Sequence, residues 1–239
     1  MVIGNGSNVV FSDKGYRGAI VFTGKCRKIR IEDDIVFADA GVLLSALSSA
    51  VRDEELSGLD FAFGIPGTLG GAVYMNAGAY GGSMSDVCIS SEYYDLETGR
   101  TVALFGDEQD FEYRTSVYQK HPERIILRAT LKLQKGNGDI ITEQMHSYFE
   151  KRKTSQPLEF PNAGSVFKRP EGHFAGKLIE DCGLKGLTIG GAQVSQKHAG
   201  FIINVGGATC EDVKRLVEQI KATVLQQTGV ELECEIRFL

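Results

Sequence analysis

The chain has 239 residues, 42% of them hydrophobic, enough for one large domain or two ordinary ones, each with its own core. A formal net charge of −5 leaves no basic field for nucleic acid or an anionic membrane, so an anionic ligand has to be met by local cations. Five cysteines, at 26, 88, 182, 210 and 234, are odd in number, scattered and without a Cys-x-x-Cys pair, which argues against both a zinc site and a disulfide framework.

Met1-Val2-Ile3 leads into a glycine turn, Gly4-Asn5-Gly6-Ser7-Asn8. It begins like a dinucleotide fingerprint but fails as one: position 9 is Val where Gly is needed, and Val9-Val10-Phe11 reads as strand rather than helix. Residues 19–23, 28–31 and 35–38 are short strand patterns, and 42–52 has the apolar spacing of a short helix. Seven of the nineteen residues from 64 to 82 are then glycine, a density that implies backbone turning at positive φ or approaching a ligand closely. No Gly-Lys-Ser/Thr follows, so this is not a nucleotide-triphosphatase phosphate loop, and a glycine-rich connection without a ligand stays possible on spacing alone. Residues 87–95 and 101–105 read as a hairpin closed around Thr98-Gly99, and 124–134 as a long strand with Ile125, Leu127, Ala129, Leu131 and Leu133 inward.

The texture changes near residue 140. Helices are predicted over 142–154, ending before Pro157, and over 174–182, with Gly183 at C′. The best-marked helix runs over 210–228, with Thr209 and Asp212 at capping-box spacing, an apolar stripe of Val213, Leu216, Val217, Ile220 and Val224, and Gly229 as its stop. Residues 230–238 alternate as a strand, with Glu231, Glu233, Glu235 and Arg237 on one face. The class is α+β, divided into residues 1–140 and 141–239.

Five motifs then stand in a recognisable order: Gly-Asn-Gly-Ser-Asn at 4–8, the glycine run, Tyr113-Arg114-Thr115-Ser116, Asn162-Ala163-Gly164-Ser165-Val166-Phe167-Lys168-Arg169-Pro170, and Glu233-Cys234-Glu235-Ile236-Arg237-Phe238. In this order they resemble the UDP-N-acetylenolpyruvoylglucosamine reductase (MurB) family of peptidoglycan synthesis. The resemblance implies an FAD-binding half of the MurB or vanillyl-alcohol-oxidase-like type, then an α+β substrate-binding domain. It implies FAD as cofactor, NADPH as co-substrate, and reduction of UDP-N-acetylglucosamine-enolpyruvate to UDP-N-acetylmuramate.

Read alone, Ser165 is a solvated loop serine, Glu235 part of a charged strand face, and Arg114 an exposed or ion-paired arginine. The resemblance makes Ser165 the general acid, Glu235 a catalytic carboxylate and Arg114 the cation that polarises the enolpyruvyl carboxylate, a task that suits a permanently charged planar donor. It makes Gly4, Asn5, Gly6, Ser7, Asn8, Gly64, Pro66, Gly67, Thr68, Gly71, Asn76, Gly78, Ala79 and Gly81 the cofactor-binding set. Arg169, Lys168 and Arg237 are the expected substrate contacts, with Lys151-Arg152-Lys153 as further counter-ions for a diphosphate. His198 and Asn204 match the family without a distinct role. Relatives carry a further N-terminal subdomain before residue 4, so impaired flavin binding is expected of the chain as it stands. The block between Tyr113 and Gln156 is short, as in the compact type. A cytoplasmic monomer is expected, with no apolar run near the ~18 residues needed to span a membrane. Another flavin oxidoreductase on the same fold and a non-catalytic nucleotide-sugar binder are the competing readings.

Overall fold

The computed structural model describes residues 1–239. The chain divides into two compact units, residues 1–5 with 18–152 and residues 6–17 with 153–239. The division read from the sequence, at 140/141, falls inside the helix Gly138–Ser155. The change of texture there marks the start of that helix. Asn137 Oδ1 accepts from the amides of Asp139 and Ile140, Ile141 and Met145 are buried, and Arg152 donates to the Gly64 carbonyl, all within the first unit. Residues 6–17 join the second unit because Val9–Val10 pairs in parallel with Arg237–Phe238.

The first unit is built on a five-stranded antiparallel sheet in the order Arg100–Phe105, Cys88–Asp95, Arg124–Lys132, Ile35–Asp39, Ile29–Glu32. Val36, Ala38, Ala129 and Leu131 enter its core beside Leu44, Leu47 and Val51 of the helix Leu44–Asp53. Each fully buried Leu there contributes about 1.5–3 kcal/mol. The long strand departs from its predicted facing. A register shift between Ile126 and Arg128 turns Ile126 inward and leaves Ile125 and Leu127 half-buried, because one extra residue reverses the side-chain sense. Its predicted end also peels away: Gln134–Lys135 pairs with Leu56–Ser57. Within the core lies a polar knot, in which Ser91 Oγ lies 2.7 Å from both Gln109 Oε1 and the Tyr118 hydroxyl. Burial pushes the Tyr118 hydroxyl up to about 12, so it stays neutral and anchors the short helix Val117–Lys120.

The glycine run contains a helix that turn chemistry alone does not predict, Leu69–Met75. Leu69, Ala72 and Val73 are its buried face, at helical spacing. Gly70 lowers helix propensity, but a Cβ there would stand 2.8 Å from the Ala40 Cβ, so close packing requires the glycine. Beyond it, Gly78–Ala79 and Gly82–Ser83 form a tight hairpin whose two turn residues, Tyr80 and Gly81, have φ of 53° and 90°.

The second unit carries a four-stranded antiparallel sheet in the order Asn162–Ser165, Phe201–Asn204, Ala192–Val194, Thr188–Ile189. The helix Cys210–Thr228 has the bounds its caps predict. Leu216, Val217, Ile220 and Val224 are buried with Val166, Ile179, Leu232 and Ile236, and Val213 packs at the margin. The expected strand over 230–238 is reduced to Arg237–Phe238 and a single bridge between Phe167 and Cys234. Its alternation survives in the burial of Leu232 and Ile236, but its backbone passes from one partner, residues 166–168, to another, Val9–Val10.

Candidate functional site

The two glycine segments meet within the first unit. Asn5 Nδ2 donates to the Pro66 carbonyl at 2.6 Å, and a Cβ on Gly4 would lie 2.1 Å from Thr68 Oγ1. Thr68 is 3% exposed and its Oγ1 has no hydrogen-bond partner in the protein. A buried hydroxyl left in that state costs about 1–3 kcal/mol, and it is most simply satisfied by an acceptor or donor from outside the chain. The orphaned hydroxyl, beside a glycine that admits no side chain, fits a phosphate-bearing cofactor. Gly64, Gly67 and Gly71 flank it in sequence, and a Cβ on Gly71 would lie 3.7 Å from the same Oγ1, an ordinary contact. Asn76 has a different duty. It caps the helix Leu69–Met75 at φ 41°, its Nδ2 donates to the Glu112 carbonyl (2.9 Å) and Ser85 Oγ, and its Oδ1 accepts from the Ser85 amide. Its side chain is committed to the protein, where it fixes the start of the hairpin that carries Gly78, Ala79 and Gly81.

Arg114 stands against this hairpin. Its Nη2 donates to the Gly78 carbonyl at 3.1 Å, and its backbone is left-handed, with φ 56°. For a non-glycine residue that conformation costs on the order of 1 kcal/mol or more and persists only where its surroundings impose it. Here they do: Glu112 and Thr115 exchange backbone hydrogen bonds across the turn, and Ser116 Oγ donates to the Tyr74 carbonyl at 2.8 Å. Of the basic cluster at 151–153, Arg152 turns to Gly64, and burial, the larger influence, pulls its guanidinium pKa down. Tyr148, one helical turn earlier, stacks flat on Tyr80 at 4.5 Å, a pairing that no local sequence signal announces.

The second unit gathers the remaining residues. Asn162 Oδ1 accepts from the Gly164 amide at 2.9 Å, and Gly164 takes φ 84°, turning the chain so that exposed Ser165 follows. Alongside runs the C-terminal segment: the Glu235 amide donates to the Val166 carbonyl at 2.8 Å, and the Lys168 amide to the Glu233 carbonyl at 2.9 Å. Asn8 clamps that segment from its other side. Its Nδ2 donates to the Glu235 carbonyl at 3.2 Å, while its own carbonyl accepts from the Arg237 amide at 3.0 Å. Ser165, at the end of its strand, therefore lies beside the segment that carries Glu235 and leads into the strand of Arg237, and Asn8, from the opening motif, holds that segment. Gly6 and Ser7 fall in this unit too, while Gly4 and Asn5 belong to the first. Lys168 Nζ is paired with Glu233 at 2.6 Å, and the Arg169 guanidinium lies 4.2 Å over the Phe174 ring. His198 Nδ1 accepts from the Gly200 amide at 3.0 Å, and Asn204 Oδ1 from the amides of Gly206 and Ala208, so both residues shape turns.

Residues 1–104 match a family described as an FAD binding domain, and residues 156–239 one described as the UDP-N-acetylenolpyruvoylglucosamine reductase C-terminal domain. UDP-N-acetylenolpyruvoylglucosamine reductases from Caldanaerobacter subterraneus subsp. tengcongensis and Clostridium novyi are 48% and 47% identical over 238 residues, spanning 100% of this chain and 78% and 77% of theirs. The crystal structure of the reductase from Thermus caldophilus superposes with a TM-score of 0.86 at 34% identity, over 100% of this chain and 84% of that one. The chain belongs to the UDP-N-acetylenolpyruvoylglucosamine reductase family.

Proposed function

We propose that this protein is an FAD-dependent oxidoreductase that uses NADPH to reduce UDP-N-acetylglucosamine-enolpyruvate to UDP-N-acetylmuramate, a step in peptidoglycan precursor synthesis. The observation that carries the reading is the likeness over the whole chain to reductases of that name at 47–48% identity. The orphaned Thr68 hydroxyl beside Gly4 supports the cofactor independently. When bound, FAD supplies the two-electron hydride chemistry. The first unit holds it through residues 4 and 5, Gly64, Pro66, Gly67, Thr68 and Gly71, and through the hairpin at Gly78, Ala79 and Gly81. Gly6, Ser7 and Asn8 complete the opening turn, and Asn8 also secures the segment of Glu235.

Arg114 meets the substrate carboxylate. Its guanidinium cannot release its proton, so it stabilises the negative charge that gathers on that group as the double bond is reduced. Glu235 shares in stabilising the enolate by a hydrogen bond donated from its acid form. Ser165 donates the proton from its Oγ to the α-carbon; an alcohol is a weak acid, so it serves only a partner as basic as an enolate. Arg169, with Lys168 and Arg237, binds the UDP-sugar diphosphate. No helix is long and apolar enough to cross a membrane, and the reading places the protein in the cytoplasm as a monomer, with neither nucleic acid nor membrane as partner.

Stopped-flow kinetics on flavin-loaded protein tests the assignment. Ser165→Ala should leave flavin reduction by NADPH nearly intact and slow reoxidation by the enolpyruvyl sugar by about 10²–10⁴-fold, the usual worth of general acid catalysis. Equal slowing of both half-reactions would remove Ser165 from the role of proton donor. A protein that binds the UDP-sugar but never oxidises NADPH in its presence would instead be a nucleotide-sugar binder.

A further inference from the structure

We infer that Gln119 is a positioning residue for the reduction step, acting through Arg114; the inference rests on the role proposed above for that arginine. Gln119 Nε2 lies 2.9 Å from the Arg114 carbonyl and 3.1 Å from the Tyr74 carbonyl. Its amide hydrogens serve these two carbonyls, with Met75 Sδ a longer contact at 3.6 Å.

Each acceptor matters. Arg114 holds a left-handed backbone, and its carbonyl direction is what distinguishes that conformation from the ordinary one. Tyr74 lies in the last turn of the helix Leu69–Met75, where carbonyls lack intrahelical donors. One side chain therefore ties the strained arginine to the end of the helix inside the glycine run. Gln119 is itself well placed to do so, since its neighbour Tyr118 is 1% exposed and locked to Ser91 in the core. Ser116 Oγ shares the Tyr74 carbonyl, and Asn76 Nδ2 holds Glu112 at the start of the same turn. Of these groups only Gln119 reaches the Arg114 backbone directly. The guanidinium, which donates to the Gly78 carbonyl, is carried by that backbone, and a displacement near 1 Å of such a group can cost about a hundredfold in rate.

The test uses Gln119→Ala and Gln119→Glu, the second keeping the length while removing both donors, each alone and with Arg114→Ala. Expected for both single variants is a loss of about tenfold or more in reoxidation by the enolpyruvyl sugar. Flavin reduction by NADPH should change by less than about twofold, the split that marks an interaction made in one half-reaction only. In the Arg114→Ala background the Gln119 substitutions should add nothing further. Without flavin or substrate, amide hydrogen exchange over residues 112–116 should quicken in both variants. Full additivity with Arg114→Ala, equal slowing of both half-reactions, or unchanged exchange would each overturn the inference. If Arg114→Ala slows reoxidation and the Gln119 variants do not, only the inference fails; if Arg114→Ala leaves reoxidation unchanged, the role of the arginine fails and the inference with it.

Discussion

At Thr68 a single hydroxyl separates what the fold needs from what the ligand needs. Its Oγ1 is buried and unpartnered, so nothing in the protein depends on it as a hydrogen-bonding group. Thr68→Val should therefore leave the melting temperature unchanged or higher, since an unsatisfied buried polar atom is removed. It should weaken FAD binding by about tenfold, one hydrogen bond's worth. Calorimetric titration with FAD measures this, and undiminished affinity would exclude the hydroxyl as a cofactor contact. His198 is a second residue whose chemistry is set by its surroundings. Its ring lies edge-on to Phe201 at 5.0 Å, its Nδ1 accepts from Gly200, and burial, the largest influence, holds its pKa below the ordinary value. The folded protein thus binds fewer protons than the unfolded chain in that interval. The contribution to stability is present above the unfolded value, near 6.5, and is lost as pH falls through the lower folded one. His198→Gln should flatten this part of the stability curve in urea unfolding at a series of pH values; identical curves for the two proteins would exclude the titration of His198 as a source of the slope.

Elements whose signals are local were legible, and those set by distant partners were not. The helix Cys210–Thr228 has its stop, stripe and cap within its own sequence: Thr209 Oγ1 accepts from the Asp212 amide at 3.0 Å and the Thr209 amide donates to Asp212 Oδ2 at 2.9 Å. The hydrogen bonds also hold the Asp212 carboxyl below its usual range, the Thr209 amide being the main cause. Thr209→Ala should cost about 1 kcal/mol in denaturant unfolding, and no change in the transition midpoint would mean that the cap is idle in solution. The strand Arg124–Lys132 was legible as a strand, but its facing depends on a register shift against Cys88–Asp95 that its own alternation does not encode. The helix Leu69–Met75 was hidden by Gly70 and Gly71, which read as turn residues until Ala40 is known to press against Gly70.

Across the whole molecule, the motifs were visible one by one, while their pairing was not. Asn5 meets Pro66 across 61 residues and Asn8 meets Glu235 across 227, and neither contact has any periodicity to betray it. Family likeness is the source of the roles proposed for Ser165, Arg114 and Glu235, residue types that are common on any surface, and the structure added the supports around them. It also separates the cations expected for the diphosphate. Lys168 is paired with Glu233, and the Arg169 guanidinium lies over the ring of Phe174, a residue that is 61% exposed. A planar guanidinium suits bidentate binding of phosphate oxygens in a way that a lysine's point charge does not. The diphosphate lies far along the substrate from the reacting double bond and carries the same charge before and after reduction. A contact with it therefore strengthens ground state and transition state alike. Arg169→Ala should raise KM for the UDP-sugar by about tenfold or more with kcat nearly unchanged, and Lys168→Ala should do less, because its charge is already engaged. Steady-state kinetics with the enolpyruvyl sugar varied at saturating NADPH decides it: a collapse of kcat at constant KM would move Arg169 from holding the substrate to taking part in its reduction.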